Sequence, residues 1–407
     1  MPRMLPRARW LVPLVVLACA PSGDSRREVT AVRETLPGGG VSVRYADLPD
    51  STDHLVEDLR IGSLAGDDAY MFGDVRGVDA TRDGSIYVLD FQAAEIRVFD
   101  SGGVFVRTLA SGGEGPGEIT AANGFQVVGD SVLWVQDHGK GRMLALGLDG
   151  VERTRRPMHV MSYRYVWAGF VDDRGVFWKP ASHSDDQRGH PPEEGVNQGS
   201  GRLYLKSDDP ATERMDSVYL GTYTGRTFIA RNSQGGYTYY PIPFDPMASS
   251  AVTPAGEAWV TSGERYTVTR LAADGDTLMV LEVETAPDPV TDADRAAYVA
   301  WMADRDPGLR VTAEEIAAVA PETRPLIDGL LVDDRARLWV RRAAGQDEPQ
   351  RFDVFENDGS WVTSVTLPPG VSRYAPLRVR DGRMYTVVRD EMDVPFVVRM
   401  EVGDRGR

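Results

Sequence analysis

The sequence predicts an all-β chain closed into a six-bladed β-propeller, and three observations predict it. Short apolar strands recur behind Gly-containing turns, an aromatic residue recurs at one place in them, and most of those places fall one blade apart. The clearest stretch runs from Asp74 to Glu118. There Asp83-Gly84 turns into a strand ending Ile86-Tyr-Val-Leu-Asp90, a polar gap leads to Glu95-Ile-Arg-Val-Phe-Asp100, and Gly102-Gly103 leads to Val104-Phe-Val-Arg-Thr-Leu109. Three strands with tight turns make an antiparallel meander. The aromatic landmark falls three residues after the turn as Tyr87, Trp134, Trp178, Trp259, Trp339 and Tyr385, at intervals of 47, 44, 81, 80 and 46 residues. Three intervals match one blade, and each long one is a blade plus roughly 35 residues of insertion.

At the N-terminus, Arg3, Arg7 and Arg9 precede the apolar run Trp10 to Ala18, and Cys19 follows. A basic region, a short apolar region and a small residue before the cut make a secretory signal. Val16-Leu-Ala-Cys19 also resembles a bacterial lipobox, in which cleavage precedes a cysteine whose thiol is lipidated; a plain signal peptide cut near Ala20 is the alternative. Cys19 is the sole cysteine, so an exported chain of this kind relies on its core instead of disulfides. Two or more acyl chains on Cys19 anchor a protein stably in a membrane. Ala20 lacks the Asp that retains lipoproteins at the inner membrane in some bacteria, which leans the expected cell-envelope location to the outer membrane. Loss of residues 1–18 removes three Arg and no acid, leaving 42 basic against 61 acidic residues and a formal charge of −19. That balance opposes binding to nucleic acid.

The expected organisation is a signal peptide over 1–18, lipidated Cys19 and a tether over 19–51, a propeller over 52–402 and a tail over 403–407. Within the tether, residues 28–35 and 41–46 can pair as a hairpin around Pro37-Gly38-Gly39-Gly40. The sixth blade lacks its outer strand, and His54–Ile61 is a strand without a blade. Placing that strand on blade six closes the ring and removes its open edge. Connections between first and second strands, and between third and fourth, are short. The long segments, including 180–201, 222–248 and 285–325, share the opposite face, where function concentrates in long loops. The segment 285–325 holds two expected helices, the first capped by Thr291-Asp-Ala-Asp294 with Tyr298, Trp301 and Met302 as its stripe, the second capped by Thr312-Ala-Glu-Glu315.

The strand Asp83 to Asp90, the strand Ile96-Arg-Val-Phe-Asp100 and the loop Gly113-Glu-Gly-Pro-Gly-Glu118 together resemble the six-bladed propeller lipoproteins related to NHL repeats. The similarity is close over 54–150 and looser to 402. It implies the fold and export, and leaves activity open because propellers host both binders and enzymes.

Candidate sites lie on the long-loop face. The run Tyr237-Thr-Tyr239-Tyr240-Pro-Ile-Pro-Phe244, with Trp301 in the helical insertion, presents amphipathic rings suited to a glycan, peptide or partner protein; packing of those rings at the rim is the bland alternative. Its consequence is a non-enzymatic binding or scaffold module. His138, His159 and His183 are candidate ligands for a divalent metal that activates water, and gluconolactonase-type and amidating-lyase propellers imply by analogy a metal-dependent hydrolase or lyase at the channel mouth. The Gly112 to Glu118 loop lacks the Gly-Lys-Ser/Thr ending of a nucleotide loop. No Gly-x-Ser-x-Gly elbow occurs.

Overall fold

The computed structural model describes residues 29–50, 52–158, 169–184, 193–209, 211–212, 214–231, 235–345 and 348–402. Cys19, His159 and the signal segment lie outside the described residues. Blade one has strands A to D at Val75–Ala80, Ile86–Asp90, Glu95–Phe99 and Phe105–Ala110. Blade two uses Ala122–Val128, Val132–Asp137, Arg142–Gly147 and Glu152–Pro157. Blades four and five follow the same antiparallel order, from Ser249–Val252 to Thr277–Val283 and from Ile327–Val332 to Trp361–Thr366.

Blade six consists of Leu377–Arg380, Arg383–Arg389 and Pro395–Val402, and the expected N-terminal strand completes it. Asp53–Ile61 pairs antiparallel with Pro395–Val402, with Ile61 opposite Val397 and Leu55 opposite Val402. Its first residues also pair parallel with blade five, Asp53 opposite Val365 and His54 opposite Thr366, which joins blades five and six into one sheet. The Arg399 guanidinium fastens the closure by donating to both Asp58 oxygens, at 3.0 and 2.7 Å from Oδ2, and to the Ser101 carbonyl of blade one at 2.8 Å.

Buried apolar clusters fill all six interfaces between successive blades. Each aromatic landmark belongs to a different one. Tyr87 packs between blades one and two, Trp134 between two and three, Trp178 between three and four, Trp259 between four and five, Trp339 between five and six, and Tyr385 between six and one. The repeat in the sequence is therefore one wedge per interface.

Three parts differ from expectation. The segment expected as a tether is structured from residue 29 onward. Ala31–Thr35 and Val41–Tyr45 do form the hairpin, and the second strand adds parallel to the outer strand of blade four, Val43 opposite Leu281. Val43 and Tyr45 are buried there, and the Tyr45 hydroxyl donates to the Gly359 carbonyl at 2.9 Å. Gly40 is required at the turn, since a Cβ would stand 2.5 Å from the Thr277 carbonyl oxygen. The described residues of segments 180–201 and 222–248 are largely strands instead of loops. Blade three starts with the short inner strand Phe170–Val171, its outer strands run on past the blade as Phe177–Ser184, Gly195–Asp209 and Arg214–Arg231, and Tyr237–Pro241 adds a fifth. The second helix, α2 (Arg310–Ala318), starts ahead of Thr312 because the turn Pro307–Leu309 runs straight into it, and its N-cap Leu309 makes no side-chain bond. The first, α1 (Asp292–Arg305), carries the expected capping box between Thr291 and Asp294.

Candidate functional site

The blade-three ribbon and the two helices meet on the long-loop face and pack together as a cap. Phe228 and Ile242 from the ribbon side are buried with Tyr298, Met302, Ile316 and Ala317 from the helices, and Tyr240 and Trp301 pack against that cluster. Polar anchors hold the cap in place. Arg226 of the ribbon pairs with Asp245 and donates to the Val319 carbonyl beyond α2 at 3.1 Å. Arg324 donates to Asp294 at 2.6 Å and to Glu348 of blade five at 2.5 Å, and its guanidinium lies 5.5 Å from the Phe244 ring centre.

This places the five aromatic candidates. Tyr240 and Trp301 contribute to the packing of the cap, with the Tyr298 and Trp301 rings 6.0 Å apart. Tyr237 receives a hydrogen bond from Arg231 at 3.1 Å, Phe244 sits under Arg324, and Tyr239 is 60% exposed on the ribbon. Strand alternation sends Tyr239 and Tyr240 to opposite faces, so the run is divided between packing and solvent. None of the five lines the cavity described next.

That cavity, of about 1250 Å³, runs along the innermost strands and into the space beside the ribbon. Its wall includes Val127, Ser250, Leu331 and Arg378 from inner strands, and Tyr223 and Ile242 from the cap side. The inner strands are tied to one another around it. Gln126 and Val171 exchange two hydrogen bonds at 2.8 and 2.9 Å, Ser249 Oγ accepts from the Leu330 N–H at 3.1 Å, and Asp79 accepts from the Val127 N–H at 2.8 Å. The wall is therefore held by bonds between blades as well as within them.

Among the described residues three guanidiniums line this cavity, and they are not equivalent. Arg226 has Asp245. Arg380 forms a two-pronged pair with fully buried Asp79, at 2.8 and 3.1 Å. Arg378, half-buried on the same strand, donates only to the Leu377 carbonyl at 3.3 Å among the described residues. Burial pushes its pKa down, partly offset by Asp79 and reinforced by Arg380. Arg378 carries no signal in the sequence, because one Arg in a Leu-Arg-Val-Arg strand reads as a solvated side chain.

Other polar groups of this face, Asp90, Asp137 and the two described candidate histidines among them, have local roles. Asp90 accepts from the N–H groups of Gly73, Asp74 and Gln92, and Asp137 from those of Thr120 and Ala121 and from Arg142. These carboxylates bind each second strand to the connection entering the first, a wider tie than a turn cap. In the Gly-rich loop the Gly115 N–H donates to Glu118 at 2.6 Å and the Gly117 N–H to Glu152 at 2.8 Å, so the protein's own carboxylates occupy its donors. His138 lies in the second-to-third-strand turn of blade two and His183 on the ribbon opposite Arg202. Among the described residues no three His, Cys, Asp or Glu side chains are grouped so as to hold a metal ion.

Comparison with known proteins agrees with this architecture. A family model described as a 6-bladed beta-propeller (DUF5128) matches residues 52–186, about a third of the chain. No protein with a curated description matches. Among solved structures, the chain is similar to a candidate exported protein of Bacteroides fragilis at 11% identity, covering 89% of this chain and 100% of that one with a TM-score of 0.44. It is also similar to a member of the DUF4221 family from Bacteroides vulgatus at 9% identity, covering 86% and 98%, with a TM-score of 0.47. Virginiamycin B lyase from Staphylococcus aureus matches at 9% identity over 81% and 95%, with a TM-score of 0.35. The chain is an all-β protein with the six-bladed β-propeller fold.

Proposed function

We propose that the protein is an exported, lipid-anchored binding module that takes a small molecule, or the end of a glycan or peptide, into the channel beside its cap. The observation that carries this reading is the cavity of about 1250 Å³ walled jointly by inner strands and cap, slightly above the roughly 300–1,000 Å³ of ordinary ligand pockets. The aromatic run supports the site from behind by fixing the cap. Cys19 as lipid attachment point accounts for the basic, apolar and small-residue order ahead of it. The experiment is a screen of the full mature protein against arrayed glycans and short peptides, repeated with Ser250→Trp, which puts an indole into the channel from its wall. Binding by wild type that the variant loses, at a Tm within a few degrees, supports the reading. Undiminished binding by the variant, or no binding by wild type to either array, overturns it.

A further inference from the structure

Alternation along Leu377–Arg380 sets which way its two arginines face. Leu377 and Val379 join the apolar cluster between blades five and six. Arg378 and Arg380 therefore share the other face, toward blade one, about 7 Å apart along the strand. Arg380 is fully engaged there by Asp79 and by the Val127 carbonyl at 2.5 Å. Arg378 lines the same cavity without a carboxylate partner among the described residues.

An unmatched guanidinium in a partly desolvated channel is unfavourable unless something pairs with it. Arg presents a planar fork of N–H donors that fits a carboxylate at two points. The surroundings limit the charge of that partner. Asp79 already faces Arg378 electrostatically, and Asp173, Glu264 and Asp334 also stand in the cavity wall, where Asp333 is already matched by Arg337. With one free guanidinium and this acidic lining in a chain of formal charge −16, a monoanion is matched better than a phosphate dianion.

We propose that Arg378 is an anion subsite of the channel and that the ligand presents it a single carboxylate, as a sugar acid or the C-terminus of a peptide does. This rests on the channel being the binding site. The ligand's remaining surface then extends along the inner strands toward Tyr223 and Ile242, and its carboxylate completes the donor pattern that Asp79 completes for Arg380.

The test titrates the full mature protein with glucuronate and N-acetylalanine, with their neutral counterparts glucose and N-acetylalaninamide, and with methyl phosphate. Calorimetric binding is compared across wild type, Arg378→Gln, Arg378→Lys and Ser250→Trp. The expected result is saturable binding of at least one carboxylate, weakened about tenfold or more by Arg378→Gln and by conversion to the neutral counterpart, and less by Arg378→Lys. Which carboxylate binds tells sugar acid from peptide terminus. Tighter binding of methyl phosphate, equal binding of neutral and acidic forms, or no carboxylate binding to wild type overturns the proposal. If Ser250→Trp abolishes binding and Arg378→Gln does not, the channel reading stands and the anion subsite falls; if neither variant changes it, both fall. Should Arg378→Gln fail to fold, phenylglyoxal mapping of native wild type decides. Carboxylate protection of Arg378 supports the subsite, and modification unaffected by carboxylate contradicts it.

Discussion

Burial alone raises the Asp79 carboxyl on blade one. Attraction and hydrogen bonding from Arg380, helped by Arg378 and the Val127 N–H, outweigh burial and hold it below the usual carboxylate range. A folded-state pKa below the unfolded value of about 3.9 gives stability that is present above that value and is lost as pH falls through the folded one. Asp79→Asn leaves Arg380 without its anion, so we expect a loss of about 3–5 kcal/mol at pH 7, shrinking toward pH 3, measured by urea unfolding at both pH values. A similar carboxylate anchors two of the landmarks. Asp172 accepts from Trp178 Nε1 at 3.0 Å and Asp333 from Trp339 Nε1 at 3.1 Å, while each also pairs with an Arg and caps its own turn. Asp333→Ala is expected to cost roughly 2–4 kcal/mol by the same measurement. Blade four departs from this pattern. Thr253 takes the place of the Asp, and the Trp259 indole N–H is buried without a hydrogen-bond partner among the described residues.

The closing strand and the cap are the elements that a change can remove separately. A chain that begins at residue 49 loses the hairpin on blade four and keeps the closing strand, and should melt cooperatively at a lower Tm. A chain that begins at residue 62 loses the outer strand of blade six and opens two edges, and should show no cooperative transition by calorimetry. Equal melting of the two would contradict the closure. In the cap, burial, with Tyr374 and Tyr240 nearby, pushes the Tyr298 hydroxyl up to about 12. A raised folded-state pKa gives stability that is present below the unfolded value of about 10 and lost as pH rises through the folded one. The cap should therefore loosen between about pH 10 and 12. Proteolysis of the ribbon should rise in that window for wild type, and Tyr298→Phe should flatten the rise.

At the scale of the whole molecule, the ring was legible because every interface needs one large aromatic wedge, and six wedges at blade spacing survive two insertions. The missing outer strand was legible for a similar reason, since an unpaired edge demands a partner. The ribbon was not. Its strands carry Gly195, Gly199, Gly201, Gly221 and Gly225 and alternate between part-exposed and exposed side chains, so they lack the apolar alternation that marks a half-buried strand. The cavity was not legible either, because its wall combines side chains from blades more than 200 residues apart. The proposed lipid anchoring rests on the N-terminal pattern: on that reading Cys19→Ser should shift the protein from the membrane fraction to the soluble fraction, read by fractionation of the cells. The channel itself is tested most directly by hydrogen–deuterium exchange of the mature protein with and without a saturating carboxylate ligand. Slowed exchange should fall on residues 222–227, 249–252 and 377–380. Protection confined to the outer strands, or to the exposed side of the ribbon around Tyr239, would contradict a ligand site in the channel.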